Sequence, residues 1–366
     1  MTLSPQIRRR STGGVIFRRR GNTYKAAFRR FGLLSAGFTL IEVMVATAIV
    51  AIMLSLLIMT MGQLSDVWRK SSAKIESFQS ARLAFDLITR NMSQATLNTY
   101  LDYDDRTRPT RYLRRSELQF VCLKASSSLP SGGKAPGVEY SGTSVFFQAP
   151  CAYTAKPADY GGMDQGLNAC GYFIDFGPDV TKPSHATGPD RYRYRLMQLL
   201  VPVEKNKIYS LYPPTAAGLA NSTQYAWFQD FVNLTAPTDR CAHPVSDNII
   251  LLLVQPMDPA QPALFQSSYE YNSRADATSN PQSVKANQLA PIMGVTLVAI
   301  DETSAGRMTN GSTVPEIIGD ALDTRFINPA QLETDLKDME TFLIKKNVNY
   351  RIFRTFIPMR ESKWTK

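Results

Sequence analysis

The sequence predicts an α+β fold in which a long N-terminal α-helix packs on a C-terminal antiparallel β-rich domain. The chain from Gly62 to Pro109 contains no further Gly and no internal Pro, as a continuous helix requires. Beyond Thr107, Pro, Gly, Ser and Thr become frequent and separate short apolar or alternating runs, a pattern typical of β-strands. Antiparallel pairing is expected because few helices are available for the crossovers that parallel strands need.

The positive charge of the chain is concentrated at its N-terminus. The formal net charge is +10, but nine of the 41 Lys and Arg residues and none of the 31 Asp and Glu residues lie within 1–37. The remaining chain is therefore almost neutral, which removes the main support for nucleic-acid binding by the body. A basic segment directly before an apolar run keeps the N-terminus cytoplasmic and directs the rest of the chain across the membrane.

The apolar run extends from Phe38 to Met61, and Glu42 is its only charged residue. As a helix it would rise about 36 Å, enough to span a bilayer once. The run is too long for a cleavable secretory signal, and the small residues Ser35, Ala36 and Gly37 precede it instead of following it. A plain signal anchor remains an alternative on length and flanks alone.

The helix is expected to continue well beyond the membrane, to near Asn98, for a total rise of about 90 Å. Apolar or small residues recur at intervals of three and four, which places them on one helix face that a globular domain must cover. Coiled-coil pairing is a less favoured explanation because Ser and Ala occupy several positions. The residues are Leu64, Trp68, Ser71, Ile75, Phe78, Ala81, Phe85, Ile88, Met92 and Ala95.

The body contains seven predicted strands and two predicted helices. One helix is weakly indicated near Tyr225 to Leu234, and a clear one runs from Pro329 to Lys346 with Asn328 as its N-cap. The strands are expected at 116–125, 142–150, 169–177, 191–203, 248–256, 291–302 and 349–359.

The stretch "G|FTLIEVMVA" resembles the cleavage and methylation motif of type IV prepilins. The resemblance implies that a membrane prepilin peptidase cuts between Gly37 and Phe38 and methylates the new amine of Phe38. Glu42 then becomes the fifth residue of the mature chain. The leader is longer than the leaders typical of such proteins, which an upstream start codon or a family variant would explain.

Within this motif, Glu42 is the residue that says most about how subunits would assemble. A carboxylate is costly in lipid, but the N-terminal amine of a neighbouring subunit's Phe38 could pair with it during assembly and so fix one axial offset between packed helices. The alternative is that Glu42 only snorkels to the headgroups from near the helix end.

The body extends the resemblance to the Verru_Chthon cassette protein C family of prepilin-type proteins. The similar segments include "TSVFFQAP", "DNIILLLVQP" and the closing "YRIFRTFIPMRESKW". At coarser grain the arrangement is similar to J-type minor pseudopilins of type II secretion and to minor type IV pilins. We therefore expect a basic leader over 1–37, a transmembrane segment over 38–62, its extracytoplasmic continuation over 63–100, and a β-rich globular domain over 101–366.

The resemblance also implies partners and a location. The partners would be the prepilin peptidase, other pilin-like subunits, and an inner-membrane assembly platform with a separate ATPase, because this chain has no Walker loop. The chain would be a single-pass protein of the inner membrane with a periplasmic C-terminal domain, able to enter an extracytoplasmic filament.

Four cysteines, Cys122, Cys151, Cys170 and Cys241, would face an oxidising compartment in this topology. Four thiols allow three connectivities, of which Cys151 with Cys170 is the local choice. Buried free thiols are the alternative. No CxxC pair is present, so a zinc site is not expected.

Catalytic signatures are scarce, and no enzyme activity or cofactor is expected. His185 and His243 are the only histidines, and both are predicted in loops outside any catalytic motif. Asp102 to Asp105 ("DYDD") lack the spacing of a Ca²⁺ loop and are expected at a solvated helix end. Alternation in "RYRYR" places Arg191, Arg193 and Arg195 on one strand face, either as a wet face or as a contact for a DNA backbone.

These observations predict a minor pilin-like or pseudopilin subunit that assembles through its N-terminal helix into a type II secretion or type IV pilus-like filament. The alternative is a surface-binding module or adhesin, for nucleic acid or polysaccharide, that uses the helix for export. A membrane-tethered enzyme is the least supported class. Exposed aromatic clusters would favour the binding module.

Overall fold

The computed structural model describes residues 37–129, 139–162, 166–179, 185, 187–209, 222–232, 239–277, 279, 281–309, 311, 313–315 and 325–362. The predicted basic leader lies outside these residues, apart from Gly37. The chain divides into two compact units, Met1–Gly62 and Gln63–Lys366. Each unit is treated by itself below.

Helix α1, Leu40–Ser93, begins in the first unit and ends in the second. Within the second unit one face of α1 is buried at Ala81, Ala84, Phe85, Ile88 and Met92. The predicted stripe is therefore covered only in its C-terminal part, because its earlier residues are exposed: Leu64, Trp68, Ser71 and Ile75. The helix ends five residues before the predicted Asn98. There the backbone N–H of Thr96 donates to the Gln148 carbonyl oxygen at 2.9 Å, so the chain passes from the helix to the edge of a sheet.

The strands of the body pair antiparallel throughout the described residues. Six form one sheet in the order β7-β6-β5-β4-β3-β9, three form a second sheet in the order β11-β10-β8, and β1 and β2 form a separate hairpin. The bounds are β1 Tyr100–Tyr103, β2 Tyr112–Arg115, β3 Val121–Lys124, β4 Glu139–Ala149, β5 Asn168–Gly177, β6 Arg193–Val201, β7 Ala242–Asp247, β8 Ile249–Met257, β9 Tyr271–Asn272, β10 Ile292–Ile300 and β11 Tyr350–Pro358.

The α+β fold class with an antiparallel sheet domain is confirmed, and each of the seven predicted strand segments overlaps an observed strand. Strands β1, β2, β7 and β9 are additional. The hairpin corrects one expectation, because Asp102 and Tyr103 lie in β1 and the "DYDD" stretch does not end a helix. His243 lies in β7, where a loop was expected.

The two sheets contact each other through β4 and β8. The Thr143 hydroxyl donates to the Leu252 carbonyl oxygen at 3.0 Å and accepts from the Val254 N–H at 2.9 Å. Gly142 has a φ of 68° at the irregularity in β4, and a Cβ there would lie 2.7 Å from the Leu252 carbonyl oxygen. Only glycine fits this close approach without strain.

Among the described residues of the body, three further helices are longer than a single turn: α2 Ala226–Val232, α3 Glu302–Met308 and α4 Leu332–Lys345. Both predicted helices are confirmed, with α4 preceded by the 3₁₀ turn Pro329–Gln331, in which Asn328 Oδ1 accepts from the Ala330 N–H at 3.0 Å. Single helical turns occur at Ala125–Ser128 and Pro157–Tyr160, and further 3₁₀ turns at Val203–Lys205, Ser222–Tyr225 and Pro262–Phe265.

The core of the second unit is aromatic on the six-stranded sheet. The Phe146 ring stacks on the Phe228 ring of α2 with centroids 3.9 Å apart. Trp227 is fully buried and donates its indole N–H to Gln119 Oε1 at 2.8 Å. Burial of these side chains supplies most of the driving force that holds α2 on the sheet.

Candidate functional site

The first turn of α1 is closed by a reciprocal pair of side chains, Thr39 and Glu42. The Glu42 N–H donates to Thr39 Oγ1 at 3.3 Å, while the Thr39 N–H donates to Glu42 Oε2 at 3.3 Å. The Thr39 hydroxyl also donates to Glu42 Oε2 at 3.2 Å. This arrangement is a capping box, which satisfies backbone donors that a helix start otherwise leaves without a partner.

The capping box uses only one oxygen of the Glu42 carboxylate. Within the described part of the chain, Glu42 Oε1 accepts no hydrogen bond, and the side chain is exposed. The carboxylate can therefore hold the helix start and still accept an N–H or ammonium donor from outside the chain. The capping role was missed in the sequence, although Thr-x-x-Glu before an apolar run is its usual signature.

The apolar side chains that follow this turn are exposed as far as residue 62 in the described part of the chain. Every residue from 37 to 62 is exposed, including Phe38 at 82%. Among the described residues α1 is the one helix that is long and apolar enough to cross a membrane, judged by length and composition. An exposed apolar surface of this length requires lipid or other chains around it.

The hydroxyl groups within this apolar segment are satisfied by the helix itself. Thr47, Ser55 and Thr60 each donate to a backbone carbonyl oxygen three residues earlier, at 3.0, 2.9 and 2.9 Å. A helix that satisfies its own polar groups can enter hydrocarbon at little cost.

Two of the three arginines of "RYRYR", Arg193 and Arg195, are buried, whereas Arg191 is exposed. Arg193 and Arg195 are 9% and 4% exposed, so neither the predicted wet face nor a DNA-backbone contact describes them. Arg195 Nε donates to Asp247 Oδ1 at 3.1 Å, and Arg193 Nη2 donates to Glu302 Oε1 at 3.1 Å. The acids that neutralise them come from β7 and α3, which are distant in sequence and therefore could not be foreseen from the strand pattern.

Glu302, which is half-buried, is the centre of this network. It also pairs with Arg191 and accepts from Asn248 Nδ2 at 2.8 Å. Burial disfavours the ionised form of Glu302, but the hydrogen bonds from Asn248 and Arg193 and the charges of Arg191 and Arg193 outweigh burial and lower its pKa. The network joins the start of β6 to α3.

The remaining candidate residues lie apart from one another. Asp102 pairs with Arg115 at 3.5 Å, and Asp104 accepts from the Thr110 N–H at 2.9 Å, so these carboxylates are engaged within their hairpin. His185 and His243 are both exposed. No group of three or more His, Cys, Asp or Glu side chains that could hold a metal occurs among the described residues.

The four cysteines are free thiols in this structure. Cys122, Cys170 and Cys241 are buried and Cys151 is half-buried. Cys151 and Cys170 are hydrogen-bonded to each other, so the predicted pair is adjacent in space. Their pairing as a disulfide stays a prediction.

Comparison with known proteins identifies the N-terminal motif. Residues 34–58 match the family model of the prokaryotic N-terminal methylation motif. A search of the curated proteins gives no match, and neither does a search of the solved structures. The motif supports a type IV prepilin-like protein and implies processing by a peptidase and assembly with other pilins, and the long apolar helix is consistent with membrane anchoring. They suggest a structural protein rather than an enzyme.

Proposed function

We propose that the chain is a minor pilin-like or pseudopilin subunit that enters a type II secretion or type IV pilus-like filament through its N-terminal helix. The observation that carries the proposal is the methylation motif over 34–58, followed by a helix segment that buries none of its apolar side chains in its own fold. Such a segment needs neighbours, first lipid and then the helices of other subunits. The neighbours would be pilin-like chains, with an assembly platform and its ATPase supplying the work.

The processing site would lie between Gly37 and Phe38. A Cβ at Gly37 would meet no atom within 4 Å, and the backbone there is not left-handed, so the fold itself does not require glycine. A requirement for glycine at this position would therefore come from an enzyme that must approach the backbone closely. Cleavage leaves Phe38 as the N-terminus, which the same peptidase would methylate.

The role of Glu42 would be to set the register between subunits. Its free Oε1 lies one turn from the new amine of its own chain and, in a bundle, within reach of the amine of a neighbour. Pairing an amine with this carboxylate removes two isolated charges from an apolar environment, which favours one axial offset over others. The helix would be anchored in the inner membrane before assembly, with the body in the periplasm.

Processing is tested by changing Gly37 to Leu in cells that contain a prepilin peptidase. We expect the leader to stay attached, as read by the intact mass of the purified chain. Gly62→Leu is the matched control, because Gly62 also meets nothing within 4 Å and lies outside the cleavage motif. Normal cleavage of the Gly37 variant would contradict recognition by the peptidase.

Register matching is tested by separating the two roles of Glu42. Glu42→Gln keeps an oxygen for the Thr39 cap but removes the charge, whereas Thr39→Ala removes the cap and keeps the charge. We expect Glu42→Gln to be processed normally but to lose crosslinks to other pilin-like subunits in intact cells, while Thr39→Ala retains most of them. Equal losses in both variants would assign Glu42 to helix capping alone.

A finer assignment is the Verru_Chthon cassette protein C family, supported by the segments quoted above from the body. The corresponding expectation is that neighbouring genes encode further prepilin-like chains. Co-purification of those chains with this one after crosslinking would support a shared filament, and their independence would argue against it.

A second candidate function is a surface-binding module, and one observation favours it. Tyr103 and Tyr112 stack with ring centroids 5.0 Å apart on the β1–β2 hairpin and are 42% and 65% exposed. The exposed Arg106 and Arg108 lie in the loop between these strands. Exposed aromatic faces beside cations can stack on nucleic-acid bases, and aromatic faces alone can pack on sugar rings.

This candidate is tested by titrating the full chain with a single-stranded oligothymidylate and with a neutral polysaccharide. Loss of binding in Tyr112→Ala, but not in the exposed control Tyr160→Ala, would support it. Absence of binding to either polymer would contradict it and leave the filament subunit alone.

A further inference from the structure

The backbone around Cys151 is held against the start of β5 by interactions that do not involve sulfur. Asn168 accepts from the Tyr153 N–H at 3.1 Å and donates to the Tyr153 carbonyl oxygen at 2.7 Å. The same amide donates to the Val201 carbonyl oxygen of β6 at 2.9 Å. This clamp fixes the chain just after Cys151 to the strand that carries Cys170.

A second set of backbone contacts shapes the turn itself. The Cys151 N–H donates to the Ala149 carbonyl oxygen at 2.9 Å, and the Ala152 N–H donates to the Gly166 carbonyl oxygen at 3.4 Å. Ala152 has a φ of 53°, which is costly for a residue with a Cβ. This strained residue lies in the turn that holds the chain next to Cys151 against the residues before β5.

The two thiols meet at the end of this turn. Cys170 is fully buried, Cys151 is half-buried, and the two thiols are close enough to interact. The interaction between the two thiols lowers the pKa of Cys151, although partial burial opposes this, and the same interaction together with burial raises the pKa of Cys170. The more accessible thiol is therefore the better nucleophile of the pair.

We propose that Cys151 and Cys170 form an intramolecular disulfide after export, with Cys151 as the attacking thiol and Cys170 as the resolving thiol. The oxidant is the disulfide of an extracytoplasmic thiol oxidase or a small-molecule disulfide. The Cys151 thiolate attacks one oxidant sulfur and expels the other as a thiolate. Cys170 then loses its proton and attacks the Cys151 sulfur, which releases the second oxidant thiolate, so two thiols are oxidised and one disulfide is reduced.

The other two cysteines are placed differently and stay reduced in this proposal. The Cys122 thiol is fully buried and donates to the Val254 carbonyl oxygen at 3.3 Å, and burial raises its pKa. The Cys241 thiol donates to the Asp239 carbonyl oxygen at 3.3 Å, and burial raises its pKa as well. Neither is described in contact with another thiol.

The disulfide would close the 18 residues between Cys151 and Cys170 into a loop that includes the helical turn Pro157–Tyr160. Closing a loop of this size raises the melting temperature by about 5–10 °C when the native geometry is already in place. The proposal rests on the proposed function only for the compartment, since oxidation of the purified chain tests the pair without any assumption about export.

The test uses the reduced full-length chain in detergent, treated with oxidised glutathione and then denatured and alkylated. We expect two alkylated thiols per chain by intact mass, against four before oxidation, and the rise in melting temperature given above. Cys170→Ser should accumulate one glutathione on Cys151, because the resolving thiol is missing. Cys151→Ser should take up none at Cys170, which is fully buried.

Four alkylated thiols after oxidation, or a disulfide that includes Cys122 or Cys241, would overturn the proposal. Cys122→Ala and Cys241→Ala are the controls, and each should still form the Cys151–Cys170 bond. The chain isolated from the membrane without reductant should already carry it. If oxidation succeeds in detergent but membrane-derived chain is fully reduced, the assigned compartment is wrong and the pair itself stands.

Discussion

The two units of the chain place similar apolar residues in opposite environments. From 37 to 62 every apolar side chain is exposed, whereas the second unit buries Trp227, Phe146 and Phe228 completely. Both contain Ile, Leu, Val and Met in abundance. Composition therefore does not distinguish the two units. They differ in whether their apolar side chains are buried in the described part of the chain.

Their polar groups differ in the same way. In the first unit, Thr47 and Ser55 bond to the carbonyl groups of their own helix. In the second unit, Thr143 and Gln119 bond across to other elements. A helix whose hydroxyl groups bond to its own backbone needs no hydrogen-bond partners from its surroundings. It can therefore move from one apolar environment to another, as a helix that passes from lipid into a filament must.

The largest expected effect tests the core of the second unit. Phe228→Ala removes a ring stacked at 3.9 Å on Phe146 and should lower the free energy of unfolding by about 3–5 kcal/mol. Leu57→Ala in the first unit, where Leu57 is 55% exposed, should leave that quantity unchanged. Urea unfolding in detergent measures both, and comparable losses would contradict the division between the units.

The next effect concerns the ion pair between the half-buried Glu302 and the buried Arg193. Glu302→Gln should lower the free energy of unfolding at neutral pH by about 1–2 kcal/mol, because Arg193 loses its charged partner. The folded-state pKa of Glu302 lies below its ordinary value of 4.5, so its stabilising contribution is present above that pH and is lost as the pH falls through the folded-state pKa.

The pH dependence sharpens this prediction. Between pH 6 and pH 3.5 the parent chain should lose more of its free energy of unfolding than Glu302→Gln does, since only the parent has this carboxylate to protonate. Urea titrations at the two pH values measure the difference. An equal loss of unfolding free energy in the two proteins would show that protonation of Glu302 does not contribute to destabilisation by acid.

A smaller effect compares two positions on the same helix. Ile88 is completely buried and Ile49 is 50% exposed, although both belong to α1. Ile88→Val should cost about 0.5–1.5 kcal/mol of unfolding free energy, and Ile49→Val should cost nothing measurable. Ile→Val changes helix propensity by the same amount at both positions, so any difference in unfolding free energy reports burial of the side chain.

The smallest effect is at the start of α1. Thr39→Ala removes the hydroxyl that accepts from the Glu42 N–H, which should cost about 0.5–1 kcal/mol of local helix stability. Faster hydrogen exchange at the first-turn amides, with unchanged exchange at Ile88, is the expected result. Unchanged exchange at the first turn would mean that the hydroxyl does not cap the helix.

The sequence was informative where a pattern is local and periodic. Of the stripe predicted from Leu64 to Ala95, the part from Phe78 onward is covered by the body, and the seven strand segments were also predicted, because alternation and helical spacing depend on neighbouring residues. How far along the helix the body would reach was not readable from that spacing. The end of α1 at Ser93 was not predicted, because the helix stops where Thr96 joins Gln148, a contact between residues far apart in the chain. Short strands such as β1 and β9 have too few residues for a clear period.

The residues of the candidate site could likewise be predicted only where their relation is local in sequence. The motif residues Gly37, Phe38 and Glu42 lie within six positions of one another and could be named from the sequence. The capping box has a local signature as well, but it was missed. The partners of Arg193 and Arg195 could not be named from the sequence, since Glu302 and Asp247 reach them only through tertiary folding. A strand pattern indicates which side chains share a face but not which charges will meet them.

The central claim is that the chain is processed at Gly37 so that a methylated Phe38 can enter a bundle of like helices. The intact mass of the chain isolated from cells that contain a prepilin peptidase tests this most directly. The account predicts a mature protein that begins at Phe38 and carries one methyl group on its amine. A chain that still begins at Met1, or an unmethylated N-terminus elsewhere, would contradict it.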